Sequence, residues 1–520
     1  MTRCKGMKQT QDRTHVLLLT PLLLAALAAQ ARTGASDAGP DRARTDESRT
    51  AAYFDRIADR PPQLRMFLQA MPKGGDLHNH ASGSVYAEDY LRWAAEQGYC
   101  VAADSHRIVR PPCEVPASVA ARDLAGKDYA AYSRAIDALS MRNATLPDFD
   151  RFFASFDGFR AVSTGDAGRV IAAARELAAD DNLAYLELMS MPRSAQVVLD
   201  AAKAGDQDGG DLDALAAALA PLLPAAVAEA RAELDRDEAA FAASHACASA
   251  TPKPACAVEV RYQIPAVRHR TPAQAFAAMA FGFALVEADP RWVGVNIVGP
   301  EHHPVAQRDY GLHMRMFAYL KQRHPTVPLS LHAGEQTLGL VAPRELRYHV
   351  RDAVGVAGAR RIGHGVDIAY ETDAVALLER MARERIAVEI NLSSNAAILG
   401  VQGAQHPLHA YLAAGVPVVL ATDDQGVLRS DMTHEYQRAV KEQGLRYAQL
   451  KRIARDSLEY AFLSGASLWA ERAGGARVAA CARSRESADA ACARFLQGSD
   501  KARQQWRLEQ DFARFERGYR

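Results

Sequence analysis

Pro417-Val418-Val419-Leu420-Ala421-Thr422-Asp423-Asp424 is a run of apolar and small residues that ends in two adjacent carboxylates. A short, continuous apolar run of this kind is what a parallel strand covered by helices requires. A carboxylate buried at its end is costly unless something satisfies it. A metal at Asp423 would do so; the structural alternative for Asp423 and Asp424 is the N-cap of a following helix. Upstream, similar runs recur at 74–80, 183–189, 257–264, 292–298, 328–332, 361–364 and 387–392, with helix-length segments between them.

Eight such runs, counting 417–422, predict a (β/α)8 TIM-type barrel of the α/β class, with an open doubly wound sheet as the alternative. The polar residues follow the barrel rule, by which catalytic groups gather at the C-terminal strand ends. His78 and His80 close the first run, Gly299 and Glu301 follow the fourth, and His332 with Glu335 closes the fifth. His364 ends the sixth, Ser393 to Asn395 the seventh, and Asp423 with Asp424 the eighth.

The rest of the chain decorates that frame. Arg3, Lys5, Lys8 and Arg13 precede an apolar run from Val16 to Ala29, and Ala29-Gln30-Ala31 has the small-x-small form of a cleavage site. Residues 1–31 are expected to be a secretory signal; the run is shorter than the roughly 20 residues of a membrane span, and Pro21 interrupts it. A flexible lead-in is expected at 32–50 and a single hydrolase domain over 51–520. Insertions are expected near 86–150 and 195–256, with a helical extension at 470–520. Six cysteines fall into three close couples, Cys100 with Cys113, Cys247 with Cys256 and Cys481 with Cys492. After a signal, such couples suggest three short-loop disulfides and an exported protein, periplasmic or extracellular, with no stable membrane insertion.

Charge narrows the partners. With 62 basic and 62 acidic residues in 520, the formal net charge is zero, so nothing draws polyanions globally and nucleic acid is not an expected partner. Oligomeric state is left open, a homodimer included.

The polar residues make a chemistry. His78 and His80, spaced two apart on a strand, point to the same side and can share one ion. Together with His332 and Asp423 they form the ligand set of a mononuclear zinc hydrolase, Zn2+ one per chain, with Glu335 and His364 free for proton transfer. His364 could instead be a fourth histidine ligand.

Met71-Pro72-Lys73-Gly74-Gly75-Asp76-Leu77-His78-Asn79-His80, Ser330-Leu331-His332-Ala333-Gly334-Glu335, Arg361-Ile362-Gly363-His364-Gly365 and Thr422-Asp423-Asp424, in this order, resemble the adenosine deaminase family of metal-dependent hydrolases. Met71-Pro72-Lys73-Gly74 and Ala454-Arg455-Asp456-Ser457-Leu458-Glu459-Tyr460 resemble its secreted, growth-factor-related branch, and the likeness runs from about Ala51 to Leu468. The resemblance implies a zinc barrel that hydrolyses the amino group of adenosine or 2′-deoxyadenosine to the 6-oxo product and ammonia. It implies His78, His80, His332 and Asp423 as zinc ligands and Glu335 as the group that shares a proton with purine N1. It implies His364 as the group that stabilises and deprotonates the zinc-bound water, Asp424 as the partner of N7 and the Gly299 amide as the partner of N3.

One position departs from the family. Ser82 stands where the family commonly has an acidic residue associated with the ribose 5′-hydroxyl; a serine can still hydrogen-bond there, with shorter reach and no charge. Free adenine or another modified 6-aminopurine is therefore the alternative substrate. A binuclear amidohydrolase acting on a cyclic amide would need a bridging lysine after the fourth strand, and Val293 to His303 holds none. A secreted signalling protein with a retired site is the non-enzymatic alternative, although every proposed ligand and proton-transfer position is occupied.

Overall fold

The computed structural model describes residues 45–145, 147–204 and 209–519. The expected signal segment and residues 32–44 of the lead-in lie outside the described residues. Residues 46–50 belong to the helix Asp46–Ile57, which Thr45 caps by accepting the Ser48 N–H, with Asp46 and Glu47 in the first turn where the helix dipole favours them.

The apolar runs form eight strands: β1 Gly75–His80, β2 Tyr185–Met189, β3 Glu259–Val267, β4 Trp292–Val298, β5 Ser330–Ala333, β6 Arg361–His364, β7 Ala387–Ile390 and β8 Val418–Leu420. β1 to β4 form one parallel sheet in chain order and β5 to β8 another. Parallel bridges Val295↔Leu329 and Asn79↔Asp423 join the two sheets at both seams, which closes the barrel. Every residue of β4 through β8 is buried, as strands enclosed by helices must be. β3 runs past Ile264 through Pro265 to Val267; a proline lacks the ladder N–H and so reads as a strand end in the sequence. β7 stops at Ile390 because Leu392 already begins the helix Leu392–Leu399.

The barrel interior is not wholly apolar. Arg361, 1% exposed, lies between Glu187 and Glu389 at 2.5 Å from each, and the Phe462 ring covers its guanidinium at 3.7 Å. Tyr185 and Ser330 donate hydroxyls to Glu187 and Glu389 respectively. Charge at this depth is tolerated only where each group has such partners.

The insertions hang from the first two strands. After β1 come the helix Ala87–Glu96 and a three-stranded antiparallel sheet centred on Cys100–Ala102, which the Cys100–Cys113 disulfide closes. The helix Phe149–Ser163, capped by Asp148, then returns the chain toward the barrel mouth. After β2 come the helices Ala195–Ala204, Leu212–Leu219 and Leu223–Ser244, followed by a loop closed by Cys247–Cys256. A third disulfide, Cys481–Cys492, ties the turn Ala479–Cys481 to the helix Ala490–Gln497. The last helix, Asp500–Arg517, meets the helix Tyr447–Glu459 through Glu516, which accepts from Tyr447 at 2.7 Å and Lys451 at 2.5 Å. Among the described residues no single helix is long and apolar enough to cross a membrane.

Candidate active site

At the seam where β1 meets the end of β8, four side chains converge. His78, His80, His332 and Asp423 each place one ligand-type atom within 4.8 Å of the others. His80 Nε2 lies 3.2 Å from His332 Nε2 and 3.2 Å from Asp423 Oδ1, and His78 Nε2 lies 3.3 Å from that same oxygen. Nitrogen and oxygen ligands about 2.0–2.1 Å from a tetrahedral zinc ion stand about 3.3 Å apart. The arrangement therefore fits a zinc-sized cation, and three imidazoles with one carboxylate is a donor set such an ion takes.

Outer partners aim these atoms. His78 Nδ1 lies 2.7 Å from Glu389 Oε2 on β7, and His332 Nδ1 lies 2.9 Å from Asn296 Oδ1 on β4, so each ring turns its Nε2 to the common centre. The Asp423 N–H donates to the His78 carbonyl and its own carbonyl accepts from the His80 N–H, so backbone bonds dock it on β1. Asp423 reaches this place with φ +58°, a left-handed conformation that costs a non-glycine residue about 1–3 kcal/mol. Burial opposes its charge, yet the hydrogen bonds from His78 and His80 hold its carboxyl well below the usual range. His332 is pushed well below its ordinary value by burial and by the neighbouring His78, and stays a neutral donor of its lone pair.

Beside this centre a cavity of about 320 Å³ opens at the barrel mouth, and Glu335, His364, Asp424 and Gly299 contribute to its wall. Glu335 follows Gly334, whose φ is +75° and whose added Cβ would lie 2.3 Å from Asp367 Oδ1, so the turn requires glycine. Glu301, fully buried, grips that turn: its carboxylate accepts the Gly334 N–H at 3.1 Å and the Glu335 N–H at 2.8 Å, with His349 Nδ1 at 2.6 Å. Arg268 adds a bond to the His332 carbonyl at 3.1 Å. Burial first, then the charges of Asp423 and Glu301, push the Glu335 carboxyl well above its ordinary range, toward the protonated form. Asp424 is raised in the same way by burial and by Asp423. It packs against Gly83, where a Cβ would fall 1.6 Å from Asp424 Oδ1.

His364, at φ +70°, points Nε2 toward Glu335 Oε1 at 3.7 Å and Asp423 Oδ2 at 4.0 Å. Burial lowers it to about 3, so the ring is neutral. Ser82 lies apart from these groups: it is half-buried, its carbonyl accepts the Tyr90 hydroxyl at 2.7 Å, and the cavity wall is formed without it.

Several contributors carry little sequence signal. Glu389 and Asn296 sit inside strands, Arg268 in the turn after β3 and His349 at the start of the helix His349–Asp352, and all four resemble ordinary polar residues until the fold stacks them behind the site. The aromatic side of the cavity comes from Phe152, Phe153 and Phe156 of the helix Phe149–Ser163, beside the rim residues Asp157, Arg160 and His269. The repeated phenylalanines at 149, 152, 153 and 156 are a visible signal, but helix periodicity alone assigns them to a core.

The adenosine deaminase family model matches residues 129–468, more than half of the chain. An adenosine deaminase of Shewanella loihica is 35% identical over 147 residues, covering 28% of this chain and 41% of that protein. An adenine deaminase of Sinorhizobium fredii is 30% identical over 208 residues, covering 40% of this chain and 58% of that protein. The chain thus matches about half the length of these curated relatives. The crystal structure of an Arabidopsis N6-mAMP deaminase superposes with a TM-score of 0.50 at 20% identity, covering 77% of this chain and 96% of that one, a likeness of fold.

Proposed function

The chain belongs to the adenosine deaminase family, and from that premise we propose that it hydrolyses the amino group of a 6-aminopurine nucleoside, adenosine or 2′-deoxyadenosine, to the 6-oxo nucleoside and ammonia. The observation that carries the reading is a buried Glu335 carboxyl facing the same cavity as a three-histidine, one-aspartate cluster. His78, His80, His332 and Asp423 would hold one zinc ion. When bound, zinc brings the pKa of a water from 15.7 to about 7.

The chain's own groups supply the rest. Water adds at purine C6, which pushes an electron pair onto N1, and Glu335 gives its proton there. Of the two protons of the added water, one passes to the amine, which leaves as ammonia as the C6–N bond breaks, and the other restores the Glu335 carboxyl, while the ring keeps the water's oxygen as the 6-oxo group. Asp424, pushed toward its protonated form by burial and by Asp423, donates to N7; the Gly299 amide donates to N3; His364 faces the attacking water. Phe152, Phe153 and Phe156 give the ring an apolar wall to bind against.

Ser82 stands off the cavity wall and leaves the sugar without that partner, which favours free adenine as the second reading. The three disulfides support an oxidising compartment, so the proposal includes an exported, periplasmic or extracellular protein. The deciding experiment measures ammonia release by the zinc-loaded full chain from adenosine, 2′-deoxyadenosine, adenine and 6-methylaminopurine nucleoside, alongside zinc content. A larger kcat/KM on adenosine than on adenine supports the first reading and the reverse order selects the second. No ammonia from any of the four, with no bound zinc, ends both.

A further inference from the structure

Behind His364 runs a chain of hydrogen bonds whose direction is set at its far end. The Leu408 backbone N–H, which can only donate, lies 3.2 Å from His406 Nδ1, so that nitrogen accepts. His406 is buried, and burial lowers it to about 4, which leaves a neutral ring with its proton on Nε2. That Nε2 lies 3.1 Å from Asn395 Oδ1, an acceptor, so the Asn395 amide must turn its NH2 the other way. There Asn395 Nδ2 meets His364 Nδ1 at 3.0 Å. An NH2 cannot accept, so His364 Nδ1 holds the lone pair and the proton of the neutral ring is on Nε2. The Asn391 NH2 adds a second, longer donor contact to Nδ1 at 3.3 Å, and the same nitrogen lies 3.4 Å from Nε2. Asn395 and His406 are both buried, the former at 0% exposure, so water does not compete for these bonds.

We infer that Asn395 and His406 are positioning residues that lock His364 as the Nε2–H tautomer, so that it offers the attacking oxygen a hydrogen-bond donor and does not act as the base that deprotonates it. The inference rests on the deaminase reading for its catalytic meaning, but the tautomer itself follows from the hydrogen-bond chain alone. The surroundings agree: Nε2 faces the Asp423 carboxylate, an acceptor, 4.0 Å away. A donor there fixes the orientation of an oxygen that carries negative charge, as preorganised N–H groups do wherever anionic oxygen must be held.

The test uses zinc-loaded full chain labelled with 15N in its histidines. Two-bond 1H–15N spectra should show His364 with a pyrrole-type Nε2 and a pyridine-type Nδ1, and the His364 signals are assigned by comparison with Asn395→Asp. That substitution puts an acceptor where the NH2 was, so the spectrum should switch to the Nδ1–H tautomer. The switch should lower kcat by about 100-fold with KM changed less than about threefold and zinc retained, since such supporting groups are worth about 10–100-fold. His406→Phe removes the donor that orients Asn395 and should lower kcat about tenfold on the same reasoning. A wild-type His364 carrying its proton on Nδ1 overturns the inference whatever the activity, and so does an Asn395→Asp variant that switches tautomer yet keeps the wild-type kcat. If the wild type shows the Nε2–H form but releases no ammonia from any aminopurine, the tautomer lock stands and the deaminase reading falls.

Discussion

The proposed deamination calls for two carboxyl groups of this site in opposite protonation states, and their neighbours decide which is which. Asp423 takes hydrogen bonds from His78 and His80, which hold it to the carboxylate side against burial, while burial and the charges of Asp423 and Glu301 push Glu335 toward the acid form. The same logic governs Glu301: burial disfavours its charge, but Arg268, His349 and two backbone amides keep it ionised at about 2, so it can clamp the turn that carries Glu335. Glu335→Gln keeps the shape of the site and removes only the transferable proton. Its kcat should fall by about 100-fold or more while zinc content stays at the wild-type level, as measured by ammonia release and metal analysis. A variant with wild-type kcat would take Glu335 out of the chemistry.

Among the elements, the helix Phe149–Ser163 and the small disulfide-closed sheet before it have separate jobs. The helix supplies the apolar side of the cavity through three phenylalanines, of which Phe156 is half-buried and turned to the open space. Losing a ring that covers a bound purine forfeits about 1.5–3 kcal/mol of apolar contact. Phe156→Ala should therefore raise KM for adenosine about tenfold or more and leave kcat nearly unchanged in steady-state kinetics. The sheet centred on Cys100–Ala102 is closed by a disulfide across 13 positions. Replacing both Cys100 and Cys113 by alanine should lower stability by about 2–4 kcal/mol in denaturant unfolding without changing zinc content. An unaltered midpoint would show that the sheet is held by packing alone.

For the whole molecule, stability should depend on pH through buried acids outside the His/Asp cluster. Burial raises Asp456 to about 7 against the pull of Arg452, and raises Glu435 to about 7 against the bonds from Ser393 and Ser430. A carboxyl raised on folding keeps a proton that the unfolded chain has already lost above its ordinary range near 4. Between about pH 4 and 7 the folded state thus binds more protons, and stability falls as pH rises, by up to about 1.4 kcal/mol per pH unit for each group. The thermal midpoint should fall from pH 5 to pH 7, and Asp456→Asn should flatten that fall. An unchanged slope in Asp456→Asn would mean that its carboxyl titrates normally.

What the chain determined on its own is the layout. A parallel barrel strand is short, apolar throughout and polar at its C-terminal end, so β6 could be read residue for residue and the histidines and acids of the mouth stood at predictable places. The close cysteine couples were equally legible, because a disulfide across 9 to 13 positions is a local event. Only the tertiary structure decided which groups act together. Asp76 and Thr422, Glu301 and Glu335, and Asn395 with both His364 and His406 are separated in sequence and meet only when the chain folds. Periodicity says which face of a strand a residue takes but nothing of which side chain stands opposite it across the barrel. Protonation states and tautomers depend on those opposite neighbours and on burial, and so did not exist as properties of the sequence until the sheet was shut.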